Sequence, residues 1–161
     1  MLFKSTASFR KVTDITPEFL KKLGIKGLIL DVDNTLTTHD NPEPAENVPE
    51  WIDSMKKNNI KLIIVSNNHP PRVKPFADML GIDFVCEGKK PLSKGFKEAV
   101  QKINLPKKNI AAVGDQIFTD VLGANLYGIK MLYTVPIEHE KTTFFKIKRT
   151  LEKPFLPEKF I

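Results

Sequence analysis

Two carboxylates one residue apart, Asp31 and Asp33, close the apolar run Leu28-Ile29-Leu30 and are followed by Asn34 and Thr35. Three further polar clusters stand after later apolar runs: Ser66-Asn67, Lys90, and Asp115 with Asp120. Acids at the end of a buried strand lie where open α/β sheets bind ligands, at the carboxyl edge shared by parallel strands. Groups far apart in sequence would therefore converge there. Three or four acids meeting at one point repel and resist ionising together unless a cation sits among them. Oxygen donors without His or Cys suit a hard divalent ion of the Mg²⁺ kind rather than Zn²⁺. With such an ion and Lys90 drawing in an anion, Asp31 can attack phosphorus and form an aspartyl phosphate. Asp33 can protonate the leaving oxygen and then deprotonate the hydrolytic water. Thr35, Ser66-Asn67 and the amide groups after each strand can hold the phosphoryl oxygens. Asp115 would bind the metal, and Asp120 its water or Lys90. Lys89, next in line, is the alternative to Lys90.

The elements that must deliver these groups alternate regularly. Thr16-Pro17-Glu18 has the form of a helix start, with an N-capping threonine, proline in the first turn and an acid beside it, and Gly24 can stop the helix. Strands are expected at 27–32, 61–65, 83–86, 110–113 and 129–133, with helices from Trp51 to about Asn59, from Arg72 to Leu80, from a Ser93 cap to Ile103, and from Thr119 to Tyr127. Strand and helix in alternation predict an α/β, Rossmann-like domain: a five-stranded parallel sheet with helices on both faces. A chain of 161 residues fits one such domain, with a core at about 27–135 and flanks at 1–26 and 136–161.

Charge divides along the same boundaries. The net +6 lies wholly in the flanks, +4 in residues 1–26 and +2 in 136–161, while the centre holds thirteen basic and thirteen acidic residues. Phe3, Phe9, Phe144, Phe145, Phe155 and Phe160 accompany the charge. A basic, aromatic flank fits either ordinary solvation or an anionic partner such as a membrane surface. Phe144, Phe145, Ile147 and Leu151 fall at helical spacing, which suits core packing and membrane contact equally. No stretch is long and apolar enough to span a bilayer, the first ten residues lack a secretory core, and the single Cys86 allows no internal disulfide, so a cytoplasmic location is expected. His39 and His139 stand in polar segments with no evident partner, and His69 reads as a loop residue near the substrate.

Taken together, Asp31-Val32-Asp33-Asn34-Thr35, Ser66 after its strand, Lys90-Pro91 and Gly114-Asp115-Gln116-Ile117-Phe118-Thr119-Asp120 resemble the four motifs of the haloacid dehalogenase superfamily of phosphatases. The Asp-x-Asp-Asn-Thr and Gly-Asp-Gln-x-x-Thr-Asp forms are most similar to its class IIIA, YqeG-type branch, which is related to the mitochondrial phosphatidylglycerophosphate phosphatase. The resemblance implies that Asp31 is the nucleophile and Asp33 the general acid and base. It also implies that Mg²⁺ is held by the Asp31 carboxylate, the carbonyl at Asp33 and Asp115, with Asp120 completing the acidic set. The gaps between motifs leave no room for a separate cap domain. In the superfamily such caps enclose small substrates, so an open site implies a large or surface-bound one. With the basic flanks, that points to a phospholipid head group at the inner face of an anionic membrane, which would place the enzyme peripherally there. A soluble phosphorylated metabolite or nucleotide is the alternative substrate, and a second subunit acting as lid is the alternative to an open site.

Two other classes compete. A receiver-type phosphoacceptor also uses acids, a Ser or Thr and a Lys-Pro, but places its phosphorylated Asp on the third strand, whereas both key acids here share one. A nucleic-acid-binding module would use the basic flanks, yet no RNA-binding pattern accompanies them.

Overall fold

The computed structural model describes residues 1–161. Six parallel strands form one sheet in the order β1-β6-β5-β2-β3-β4, comprising β1 (Ala7–Phe9), β2 (Gly27–Leu30), β3 (Lys61–Val65), β4 (Asp83–Val85), β5 (Ile110–Gly114) and β6 (Lys130–Thr134). The sequence predicts five. The sixth is β1, three residues in the basic flank that pair with β6 in the register Ala7↔Leu132 to Phe9↔Thr134. So short an edge strand carries no alternation of its own; its pairing and the packing of Phe9 against Phe19 hold it.

Six α-helices cover the sheet: α1 (Pro17–Lys22), α2 (Val48–Lys57), α3 (Pro70–Leu80), α4 (Lys94–Ile103), α5 (Leu122–Tyr127) and α6 (Thr143–Glu152). Thr16 caps α1, its Oγ1 accepting from the Phe19 amide. Ser93 precedes α4 without a side-chain cap bond. Strand side chains alternate between two cores. Leu28, Leu30, Ile64, Ala111, Val113 and Leu132 face α2 and α3 through Trp51, Ile52, Met55, Val73 and Phe76. Ile29, Ile63, Val65, Ile110, Ala112 and Met131 face α4 and α5 through Phe96, Ala99, Ile103 and Ala124. All four residues of β2 are buried, as a central strand covered on both faces requires.

From β2 the chain winds outward through β3 and β4, then returns to β5 on the other side of β2. The junction of β2 and β5 is thus the point where the winding reverses, the place where open α/β sheets bind ligands at the strands' carboxyl ends. No cap domain interrupts the sheet: 31–47, between β2 and α2, is loop with a single bridge from Asp33 to Thr37.

The two flanks meet. The Ile161 amide donates to the Ser8 carbonyl, Phe3 packs against both Phe118 and Phe155, and Arg10 lies over the Phe160 ring. Segments from opposite ends of the sequence are therefore brought together beside β1.

Candidate active site

The Asp31 amide still donates to Val113 in the manner of a strand, but from Val32 onward the backbone curls into one tight turn. The amides of Thr35, Leu36 and Thr37 all converge on the Val32 carbonyl, with Asn34 in the left-handed region at φ 63°, a conformation asparagine tolerates better than most residues. This turn lifts Asp31, Asp33 and Thr35 out of the sheet at the winding reversal.

Asp31, Asp115 and Asp120 form one group whose carboxylate oxygens all lie within 4.8 Å of one another, every residue buried. Lys90 is buried among them; its Nζ donates to Asp31 Oδ1 at 2.9 Å and to Asp120 Oδ1 at 2.7 Å. Lys89 is exposed. Thr35 Oγ1 reaches Asp115 Oδ1 at 3.0 Å and Asp31 Oδ2 at 3.4 Å. Ser66 is buried, its Oγ accepting from the Asn68 amide at 3.1 Å. Asn67 clasps the Lys90 backbone reciprocally: its Oδ1 accepts from the Lys90 amide at 2.7 Å and its Nδ2 donates to the Lys90 carbonyl at 3.1 Å. That pair fixes where the lysine enters.

Asp120 arrives on a single π-helical stretch, Ile117–Val121, that precedes α5, where the sequence suggests a plain helix from Thr119. Such wide turns are frequent at functional sites. The turn folds Asp120 back over the end of β5, so closely that a Cβ on Gly114 would stand 2.3 Å from Asp120 Cγ. Glycine is required there by space.

Asp33 stands apart from the acid group. Its Oδ1 accepts from Arg72 Nη2 at 2.9 Å and from the Asp40 amide at 3.1 Å, and its Oδ2 from Asn68 Nδ2 at 3.2 Å. Its carboxylate thus takes no part in the group a metal would occupy.

The largest addition to the sequence reading is Arg149, from α6. Its Nη2 donates to the Asp115 carboxylate and its Nη1 to the Asp115 carbonyl at 2.9 Å; Nε reaches Glu140 Oε1 at 2.9 Å and Nη1 reaches Glu152 Oε2 at 3.1 Å. Glu140 and Glu152 are both buried. Asn34 joins this network by donating to Glu140 at 3.2 Å. His39, which has no evident partner in the sequence, places Nε2 2.8 Å from Glu140 Oε2, a close contact not aligned as a hydrogen bond. The helix is also oriented against the pattern of its apolar residues: Phe144, Ile147 and Leu151 are exposed, while Arg149 and Glu152 point inward.

Five buried carboxylates, those of Asp31, Asp115, Asp120, Glu140 and Glu152, thus face the buried Lys90 and two half-buried cations, Arg149 and Lys148. The imbalance shows in the acids. Burial, followed by Asp120, raises Asp31 well above the ordinary carboxyl range. Burial pushes Asp115 up to about 6 against the pull of Arg149. Burial opposes the Lys90 ammonium, but Asp120 and Asp31 outweigh it and hold the lysine charged. An all-oxygen donor set with this excess of negative charge fits a hard divalent cation, with Asp31, Asp115 and Asp120 as the residues placed to hold it.

Comparisons with known proteins agree with this geometry. A haloacid dehalogenase-like hydrolase family model matches residues 38–128, and a mitochondrial PGP phosphatase model matches residues 2–73. "Probable phosphatase YqeG" of Bacillus subtilis is 40% identical over 147 residues, spanning 91% of this chain and 86% of that protein. Among solved structures, a haloacid dehalogenase-like hydrolase from Brucella suis superposes with a TM-score of 0.57 at 11% identity, covering 80% of this chain and 99% of the other. A subfamily III A hydrolase from Legionella pneumophila gives 0.54 at 22% identity, covering 74% and 71%.

Proposed function

Because the chain belongs to the haloacid dehalogenase-like hydrolases and is a phosphatase, we propose that it is a Mg²⁺-dependent phosphomonoesterase working through an aspartyl phosphate on Asp31, with a membrane phospholipid phosphate as substrate. The observation that carries the chemistry is Asp31 itself: a buried carboxylate at the winding reversal, ringed by Lys90, Asp115 and Asp120.

When bound among Asp31, Asp115 and Asp120, Mg²⁺ supplies positive charge that draws in the phosphoryl group and keeps the acids ionised. Lys90 aligns Asp31 and meets the incoming phosphoryl oxygens. An Asp31 oxygen forms a bond to phosphorus as the bond from phosphorus to the alcohol oxygen breaks, and Asp33 delivers a proton to that oxygen. Water then attacks the phosphorus of the aspartyl phosphate. Asp33 accepts its proton, the bond to Asp31 breaks, and inorganic phosphate leaves with Asp31 free. The Ser66 hydroxyl lines the phosphoryl site; the amides of Asn34, Thr35, Leu36 and Thr37 are already engaged within the turn. Thr35 holds Asp31 and Asp115 in register.

Three features favour a lipid substrate. The amino-terminal half matches the PGP phosphatase model. No cap domain closes the site, which leaves it open to a head group presented by a surface. The helix that sends Arg149 into the site turns Phe144, Ile147 and Leu151 outward, with Lys146 and Lys153 exposed beside them, the composition of a face that lies on an anionic bilayer. No helix is long and apolar enough to cross a membrane, so such contact would be peripheral. The test is phosphate release from phosphatidylglycerophosphate in vesicles, with and without Mg²⁺. Activity confined to soluble phosphates would refute the lipid assignment.

A further inference from the structure

Residues 1–8 and 154–161 enclose a groove that the chemistry above leaves unused. It measures about 820 Å³, within the roughly 300–1,000 Å³ of pockets that hold a small ligand. Phe3 lines it, packed on Phe155 with ring centres 4.6 Å apart. Met1, Leu2, Phe155, Leu156 and Ile161 line it too, and all five remain 40–88% exposed. Large apolar side chains gathered open to water mark a contact surface. The groove is preformed. Asn125 Nδ2 donates to the Leu2 carbonyl at 2.7 Å and to the Lys4 carbonyl at 2.9 Å, which fixes one wall. The other wall is tied down by the Ile161 amide, which donates to the Ser8 carbonyl at 2.9 Å, and by Arg10 over the Phe160 ring.

Three features select the occupant. The charged residues of the lining are Lys4, Lys159 and Glu158, with Arg10 beside them, so positive charge is in excess; both lysines are exposed and pair with no carboxylate. An apolar trough with a basic rim complements an anionic amphiphile. The neighbouring groove across Leu156 and Phe160, about 760 Å³, sets Glu138, Glu140 and Glu152 against Lys146, Arg149 and Lys153 and has no such excess. The outward stripe of α6 also runs on into the larger groove, since Leu151 is exposed and Phe155 follows it one turn later. A surface that α6 lies on therefore reaches the groove. Finally, a peptide would dock by adding a strand to the free edge of β1, but the Ser8 carbonyl there is taken by Ile161. An alkyl chain needs no backbone partner.

We propose that this groove binds one acyl chain of an anionic membrane lipid, with Lys4 and Lys159 at its head group. The proposal draws on the bilayer contact of α6 given above but not on the identity of the substrate. The bound lipid anchors the phosphatase beside its site and is not itself hydrolysed.

The test is calorimetric titration of the full chain with decanoyl, lauroyl and myristoyl lysophosphatidylglycerol, each below its critical micelle concentration, and with the matching lysophosphatidylcholines. Saturable one-to-one binding is expected, tightening about tenfold for each two methylenes added. The zwitterionic lipids should bind about fivefold more weakly, the scale of exposed ion pairs. Leu2→Glu should weaken the lauroyl compound about tenfold or more by placing a charge in the trough, and Lys4→Glu should erase the preference for the anionic head group. Both residues are exposed, so both variants should keep the wild-type circular dichroism. Serine at 144, 147 and 151 together should leave this binding intact, because a monomeric lipid presents no surface to α6. Binding without dependence on chain length or head-group charge, equal affinity in Leu2→Glu, or a dimer that Leu2→Glu dissociates would overturn the proposal, the last by making a second copy of the chain the occupant. Each of these results leaves the lipid-substrate assignment standing, because phosphate release from phosphatidylglycerophosphate vesicles decides that separately.

Discussion

Replacing Arg149 by methionine keeps the length of the side chain and removes its charge. The guanidinium joins three buried acids, Asp115, Glu140 and Glu152, and its loss leaves them facing one another without their paired cation, with only Lys90 and the half-buried Lys148 nearby. Removing one partner of a buried ion pair costs roughly 3–5 kcal/mol, because the remaining charge stays desolvated and uncompensated. Against the roughly 5–15 kcal/mol that holds a typical domain together, this is a large fraction. At about 2–4 °C per kcal/mol for a chain of this size, Tm should fall by on the order of 10 °C. Urea unfolding in EDTA at pH 7 measures it directly. Two controls identify the cause: the deficit should shrink at pH 5, where Asp115, pushed up to about 6 by burial, takes up a proton, and Glu140→Gln should be less harmful in the Arg149→Met background than alone. A deficit below about 1 kcal/mol, or one that does not change with pH, would refute the view that α6 is fastened by its buried charges.

Gly114→Ala should lower kcat by two orders of magnitude or more while leaving the fold recognisable by circular dichroism, since the new methyl would collide with Asp120 and displace the partner of Lys90; near-normal turnover would show that Asp120 is dispensable. In EDTA the protein should lose stability as pH rises from about 4 to 6. Asp115 ionises near 4 in the unfolded chain but is pushed up to about 6 by burial in the fold, so the unfolded state sheds its proton first, at a cost on the order of 3 kcal/mol. Mg²⁺ should remove that decline, and superimposable urea midpoints with and without the ion would contradict the assigned metal site. Changing Phe144, Ile147 and Leu151 together to serine should reduce sedimentation with anionic vesicles at least tenfold and leave hydrolysis of a soluble aryl phosphate intact; equal sedimentation would remove α6 from the membrane face.

The parts of the site that the sequence discloses are those carried just after strand ends. Asp31, Ser66, Lys90 and Asp115 each follow an apolar run, and parallel strands bring such positions to one edge whatever their separation in sequence. The edge strand β1 was not legible, because Ala7-Ser8-Phe9 is too short to show a period and pairs with one strand only, β6. The Arg149 network was hidden for a different reason. The basic residues of this terminal stretch fit solvation as well as an anionic partner, and the stripe of Phe144, Phe145, Ile147 and Leu151 suits core packing and membrane contact equally; the structure turns Phe144, Ile147 and Leu151 outward and Arg149 and Glu152 inward. The available signal was the i, i+3 spacing of Arg149 and Glu152, too common on helix surfaces to single out. Arg72 was similarly absorbed into α3 as an ordinary helical residue, since nothing local marks a partner 39 positions away.

The central claim is that Asp31 itself becomes phosphorylated. A single turnover with excess enzyme, stopped in acid within milliseconds and followed by peptide mass spectrometry, tests this directly. A phosphoryl adduct confined to the peptide bearing Asp31, labile to hydroxylamine, is expected, together with a loss of phosphate release of about 1,000-fold or more in Asp31→Asn. Phosphate release at a near wild-type rate from folded Asp31→Asn, or an adduct on any other residue, would contradict the account.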